Sequence, residues 1–240
     1  MSDVSLPADQ QEAFTEAVLG GVLKDQEEKG PDLRQVHPKS HALVWGECIV
    51  EADLPLALRV GVFAEPKSYP IWARFSNASG IEKRGNLKSD LEPDVRGLAI
   101  KLLEVPGQKL TEDEAQTQDF IFLNHPVFIV RDLQGFVNLG LAGSGQADPG
   151  ILASLAPTFE IIKAATSKSV ANPLLIQYWS TTPYKLGSQI IKFSVKPHKQ
   201  DAIPPAKPTS ENYLREAVVH YLTKEGQDAS FDFFVQFYID

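Results

Sequence analysis

The spacing of the apolar residues constrains this chain most. They fall in short β-rich runs, several of them apolar on successive positions, separated by turn formers. Such runs cover 43–50, 59–63, 71–76, 95–103, 120–123, 175–179 and 189–195. A strand that is apolar on both faces has to be covered on both, as in a closed barrel wrapped by other elements. The last run, 231–239, sharpens this: Phe231, Phe233, Val235 and Phe237 alternate with Asp232 and Gln236, the pattern of a core strand. A domain seldom ends in mid-core, so the expectation is a core domain incomplete at its C-terminus, as a natural short form or as a fragment of a longer chain.

Helical spacing fills the intervals. Over 7–29, Pro7 suits a first turn, Phe14, Val18 and Val22 recur every fourth residue, and Gly30-Pro31 stops the run. Further helices are expected over 132–141, 149–166 and 210–224, the last with Leu214, Val218, Tyr221 and Leu222 on one side. The Pro-rich stretch 201–208 reads as an extended connector. The fold class is therefore α+β: a single core domain over 1–240, with 1–33 as an N-terminal helix and arm. A net charge of −8 without a basic patch argues against a nucleic-acid partner. The lone cysteine, Cys48, excludes an intramolecular disulfide framework. The first residues lack a signal-peptide pattern, and no apolar stretch reaches the roughly 20 residues of a membrane span. A soluble, cytoplasmic protein is expected.

A few polar side chains interrupt the apolar strands. His37 has the chemistry of a general base tuned by burial, or of a structural histidine at a strand entrance. Asn124 ends the run Phe120-Ile121-Phe122-Leu123; its amide can cap the His125-Pro126 turn or hold a small polar substrate. Ser76 can orient an imidazole through the far ring nitrogen, or simply close its strand. Arg34 and Arg74 call for carboxylate or phosphate partners, from the protein or from a ligand. His37 and His41 share the spacing of two helical metal ligands, but Pro38 and the β-rich residues after it argue against a helix there. Asp94 with Arg96, and Arg131 with Asp132, read as structural ion pairs and turns.

Four segments in order, Val36-His37-x-Lys39, Arg74-Phe75-Ser76, Asp94-x-Arg96-Gly97-x-Ala99-x-Lys101 and Asn124-x-Pro126-Val127-Phe128-x-x-Arg131-Asp132, resemble the heme catalase family, and most of all its smaller catalase-related members. The resemblance runs from about Arg34 to Asp240 and departs at Leu98, where the family has Phe. It implies a catalase-like closed antiparallel β-barrel with flanking helices, lacking the C-terminal helical segment, and heme as cofactor. It implies that His37 moves a proton between the oxygens of a peroxide, Asn124 hydrogen-bonds the peroxide, and Ser76 bonds the far nitrogen of His37. Arg34 and Arg74 would face heme propionates, Val36 and Phe128 would narrow the distal channel, and Phe136 would pack on the porphyrin. The expected function is a heme-dependent, hydroperoxide-consuming oxidoreductase of catalase or peroxidase type, with a small-molecule peroxide as substrate and a homo-oligomer as the family-based expectation. The alternatives are a fatty-acid hydroperoxide isomerase-like heme enzyme and a cofactor-free barrel acting as a binding module. The metal ligand is unassigned: none of the six tyrosines stands in the family's Arg-x-x-x-Tyr pattern, and four residues after Arg215 comes Val219.

Overall fold

The computed structural model describes residues 34, 36–79, 87–109, 116–200 and 208–239, together with residues 12, 16, 19–21, 23, 24 and 27, which are helical. The rest of the expected N-terminal helix and arm, including Phe14, Val18 and Val22, lies outside the described residues, as does most of the 201–208 connector.

Eight strands form one antiparallel sheet: β1 (Ser40–Val50), β2 (Lys67–Asn77), β3 (Arg96–Leu103), β4 (Thr117–Leu123), β5 (Tyr178–Ser180), β6 (Tyr184–Leu186), β7 (Gln189–Pro197) and β8 (Phe231–Phe237). Their order is β1-β2-β3-β4-β5-β7-β6, with β8 also paired to β7. The antiparallel sheet with flanking helices is the one expected; where the resemblance implied a closed barrel, the sheet curls into a half-barrel. Its ladder stays open at one seam, because among the described residues β1 pairs with β2 and β8 with β7, and neither pairs with the other. Side-chain alternation sends Val44, Cys48, Ile71, Ala73, Phe75, Leu98, Leu102, Phe120, Phe122, Phe193 and Phe233 into the enclosed core. Among the described residues no helix is long and apolar enough to cross a membrane.

Helices α1 (Leu133–Gly143), α2 (Pro149–Ser154) and α3 (Ala156–Thr166) lie between β4 and β5, and α4 (Tyr213–Val219) runs into a π-helical turn, His220–Lys224, before β8. Asp132 and Asp148 cap α1 and α2 by accepting the backbone N–H of Gly135 and Ile151, both at 2.8 Å. Asp132 is thus a cap rather than half of an ion pair with Arg131. The single helix expected over 149–166 divides at Leu155. Pro157 has no N–H for the carbonyl of Ala153, and its ring crowds that turn. The strand expected over 59–63 is instead two 3-10 turns, Leu56–Leu58 and Gly61–Phe63. Gly61 adopts φ +61, a left-handed conformation that breaks an extended run, and Leu58, Val60 and Phe63 pack onto the core from this turn. The strand expected over 175–179 begins only at Tyr178, because Asn172 Oδ1 accepts the N–H of Leu174 and starts the 3-10 turn Pro173–Leu175.

Candidate functional site

The register of the first four strands brings the sequence-predicted residues together. Ser76 on β2 pairs with Gly97 on β3, and Gly97 pairs with Leu123 on β4, the residue before Asn124. His37 precedes β1, and its ring lies on Gly97. A Cβ at Gly97 would sit 2.5 Å from His37 Cε1 and 2.6 Å from Nδ1, so only glycine leaves room for the imidazole. A glycine inside a strand pattern was the sequence signal for this seat, and it was not read as one.

Three bonds hold His37. Its Nδ1 lies 3.0 Å from Ser76 Oγ. Its backbone N–H donates to Ala78 O at 3.3 Å. Its carbonyl accepts from Arg74 Nη2 at 2.6 Å. The backbone at His37 has φ +56, a left-handed conformation that a non-glycine residue holds only when its surroundings impose it. Among the described residues Nε2 makes no hydrogen bond of ordinary geometry, while the Asn77 backbone lies close enough to the ring to favour its charged form. Burial pushes the imidazole below its ordinary pKa of 6.5, Arg74 adds to this, and Asp94 opposes it. The ring is therefore neutral near pH 7, as a base requires.

Asn124 is buried. Its backbone N–H donates to Arg96 O at 2.9 Å, and its side-chain Oδ1 accepts the N–H of Arg96 at 2.8 Å. A backbone N–H can only donate, so the amide orientation is fixed, and Nδ2 has no hydrogen bond among the described residues. The carbonyl of Asn124 accepts from Lys168 Nζ, which also lies 5.3 Å from the centre of the Trp179 ring. Burial lowers the Lys168 pKa. Lys168 had no sequence signal, since the loop that brings it to Asn124 is a tertiary feature.

Arg34 is exposed and Arg74 half-buried. Arg74 is held below the ordinary arginine pKa by burial and then by the neighbouring charge of Arg34. Neither has a carboxylate partner among the described residues, which leaves a pair of like charges suited to an anion. Val36 and Phe136 are 52% and 44% exposed, and Phe128 is half-buried. Two apolar residues of the expected pocket are thus open to solvent.

Immediately behind this face lies a buried polar knot. Lys39 Nζ lies 2.8 Å from Asp90 Oδ1 and also donates to Glu211 O at 2.7 Å and Lys88 O at 3.0 Å. Asn77 Nδ2 donates to Asp90 Oδ1 at 2.9 Å, and Leu214 N donates to Asp90 Oδ2 at 3.2 Å. Asn77 Oδ1 meets His41 Nε2 at 2.7 Å and accepts from Arg96 Nη1. His41 is therefore a structural residue. Among the described residues there is no cluster of three metal-binding side chains. Asp94 does not pair with Arg96: it accepts from the N–H and hydroxyl of Ser79 and from the N–H of Val95.

Five of the six tyrosines are packed or hydrogen-bonded elsewhere, and Tyr238 is exposed. Tyr69, Tyr178 and Tyr221 belong to the core, Tyr213 donates to Val170 O at 2.9 Å, the Tyr184 ring packs 4.7 Å from that of Phe193, and Tyr238 follows β8.

No family model and no curated protein matches the chain. Solved structures do. A fungal catalase determined at 1.9 Å superposes with a TM-score of 0.57 at 17% identity, over 92% of this chain and 46% of that one. A bacterial catalase gives 0.55 at 16% identity, over 99% and 48%. The chain spans about half the length of these catalases, and it shares their fold.

Proposed function

We propose that this chain carries the distal, proton-handling side of a heme-dependent, hydroperoxide-consuming oxidoreductase. One observation carries the reading: the register gathers a histidine and an asparagine whose Nε2 and Nδ2 make no hydrogen bond of ordinary geometry among the described residues. His37 spends Nδ1 on Ser76 over Gly97, and Asn124, whose Oδ1 is spent on Arg96, follows Leu123, the strand partner of Gly97.

The residues on this face fit heme on its distal side. The paired cations Arg34 and Arg74 suit two propionates, and the exposed Val36 and Phe136 with Phe128 suit an apolar ring system. When bound, heme iron supplies the electrons that heterolytic O–O cleavage needs. To act as base at Nε2, His37 keeps its proton on Nδ1 and donates it to Ser76 Oγ. Nε2 takes the proton from one peroxide oxygen and returns it to the other, which leaves as water, or as an alcohol from an organic hydroperoxide. Asn124 Nδ2 donates to the peroxide and fixes its position. Ser76 holds the tautomer and the ring plane, and Gly97 leaves the space in which the ring sits.

The test is to titrate purified protein with heme and follow the Soret band, then assay peroxide turnover in wild type and His37→Ala. A saturable, shifted band and turnover that vanishes in the variant support the proposal. Unchanged turnover in a folded variant removes His37 from the chemistry, and no shifted band favours the cofactor-free barrel.

A further inference from the structure

Away from the distal face, one group of side chains has the composition of a nucleophilic site. His198 follows β7, and Ser230 and Asp232 stand on either side of Phe231 at the start of β8. The register brings them together. Pro197 pairs with Phe231 and Lys196 with Asp232, and the N–H of His198 donates to Ser230 O at 3.0 Å. Residues two apart on a strand share a face, so Ser230 and Asp232 both lie on the face of His198. The imidazole is engaged at both nitrogens: Nδ1 lies 3.1 Å from Ser230 Oγ, and Nε2 lies 2.7 Å from Asp232 Oδ1. A carboxylate only accepts, so in the neutral ring the proton is on Nε2, and Nδ1 accepts from the Ser230 hydroxyl. Hydroxyl, imidazole and carboxylate thus stand in the order in which a base activates a nucleophile and a third group orients the base. The two ring nitrogens exchange the parts they play in serine proteases, and either nitrogen can take a proton.

A backbone donor lies next to the hydroxyl. His198 N–H donates to Ser230 O and Tyr238 N–H to Ile190 O, so the even-numbered residues of this strand turn their backbone groups toward β7. The odd-numbered ones, beginning with Phe231, turn theirs toward an edge that pairs with no strand among the described residues. The Phe231 N–H, one residue from Ser230, is therefore available to an oxyanion. The side chains of His198 and Asp232 are 53% and 59% exposed, so a substrate reaches them without movement of the fold. Ala229 and Phe231 offer apolar surface on either side of Ser230, and Asp232 disfavours a negative charge. Both features suit a short, uncharged acyl group.

We propose that Ser230, His198 and Asp232 form a nucleophilic triad that hydrolyses small, uncharged carboxylic esters, independently of heme and of His37. Ser230 Oγ bonds to the ester carbonyl carbon as its proton passes to His198 Nδ1. The carbonyl π electrons move to oxygen, which the Phe231 N–H holds. Their return breaks the bond from carbon to the alkoxy oxygen, which takes the proton from Nδ1 and leaves as the alcohol. Water then adds to the acylated Ser230 and gives a proton to Nδ1. Collapse releases the carboxylic acid, and Ser230 Oγ takes the proton back.

The test uses the full chain without added heme. Hydrolysis of 4-nitrophenyl acetate should continue past the first turnover, and Ser230→Ala should lower it about 10²-fold and Asp232→Asn about tenfold. All three side chains are exposed, so the variants should keep the fold, which circular dichroism checks. A second measurement needs no variant: diethyl 4-nitrophenyl phosphate should release stoichiometric 4-nitrophenolate from wild-type protein and leave its phosphoryl group on Ser230, located by peptide mass spectrometry. Undiminished hydrolysis in folded Ser230→Ala would assign the reaction to an imidazole alone and overturn the triad. Hydrolysis no faster than that by free imidazole, or an unlabelled Ser230, would overturn it equally.

Discussion

The distal face and the polar knot behind it are built from the same strands, yet they use their polar atoms in opposite ways. His37 and Lys39 lie two residues apart, Ser76 and Asn77 are adjacent, and so are Arg96 and Gly97. Lys39, Asn77, Asp90 and Arg96 are buried and spend most of their polar atoms on one another and on nearby carbonyls. His37 and Asn124 each hold one polar atom back. The two sets of polar residues differ in burial and in partners although their strands are the same. The buried knot ties the start of β1 and the end of β2 to Asp90 and α4; His37 lies just before that start and Ser76 on that end.

The sharpest way to break this contrast is to cut the knot. Asp90→Ala leaves the Lys39 ammonium buried without its carboxylate and should cost about 3–5 kcal/mol in denaturant unfolding. A loss under about 1 kcal/mol would mean that the knot does not hold the sheet. His37→Ala should do the reverse: heme-loaded protein should lose at least about 10²-fold in peroxide turnover, with unfolding free energy changed by no more than about 1 kcal/mol. Gly97→Ala joins the two regions. Its methyl group must displace the His37 ring, so turnover should fall although His37 is present, at a cost of about 1–3 kcal/mol.

The pH response follows from sign. Burial lowers both His37 and His41, so the unfolded chain binds their protons more readily than the folded one. Their contribution to stability is full above the ordinary value of 6.5 and is lost as pH falls below it toward their folded values. Unfolding measured from pH 8 to pH 5 should show this decline, and His41→Gln should flatten it; a decline beginning above pH 7 would contradict it. The smallest effect is expected for Lys168→Met, which removes one hydrogen bond to the Asn124 carbonyl: about 1 kcal/mol and a few-fold lower turnover.

Most strands and the helix beginning near residue 132 were legible because periodicity and turn formers act locally. The segment around Gly61 was not. Its apolar residues suit a strand, but they are used to pack a 3-10 turn against the core. The curled sheet was legible from strands apolar on both faces, whereas the open seam between β1 and β8 was not, since it depends on how the inner side chains fill the space. At the site, His37, Ser76 and Asn124 stood out as polar residues in apolar runs. Asp90 and Lys168 did not, because each acts through a partner far away in the chain: Leu214 N for Asp90 and the carbonyl of Asn124 for Lys168.

By itself the sequence determined the chemical inventory and most local states: where most strands and helices lie, and which side chains carry polar atoms within apolar runs. Tertiary structure alone decided which of those side chains keep free atoms. Local propensity acts between near neighbours along the chain, but a hydrogen bond is spent or saved only when distant strands come into register. The pairing of Ser76 with Gly97, and the absence of a Cβ there, gives a histidine before a strand its seat and its partner at Nδ1.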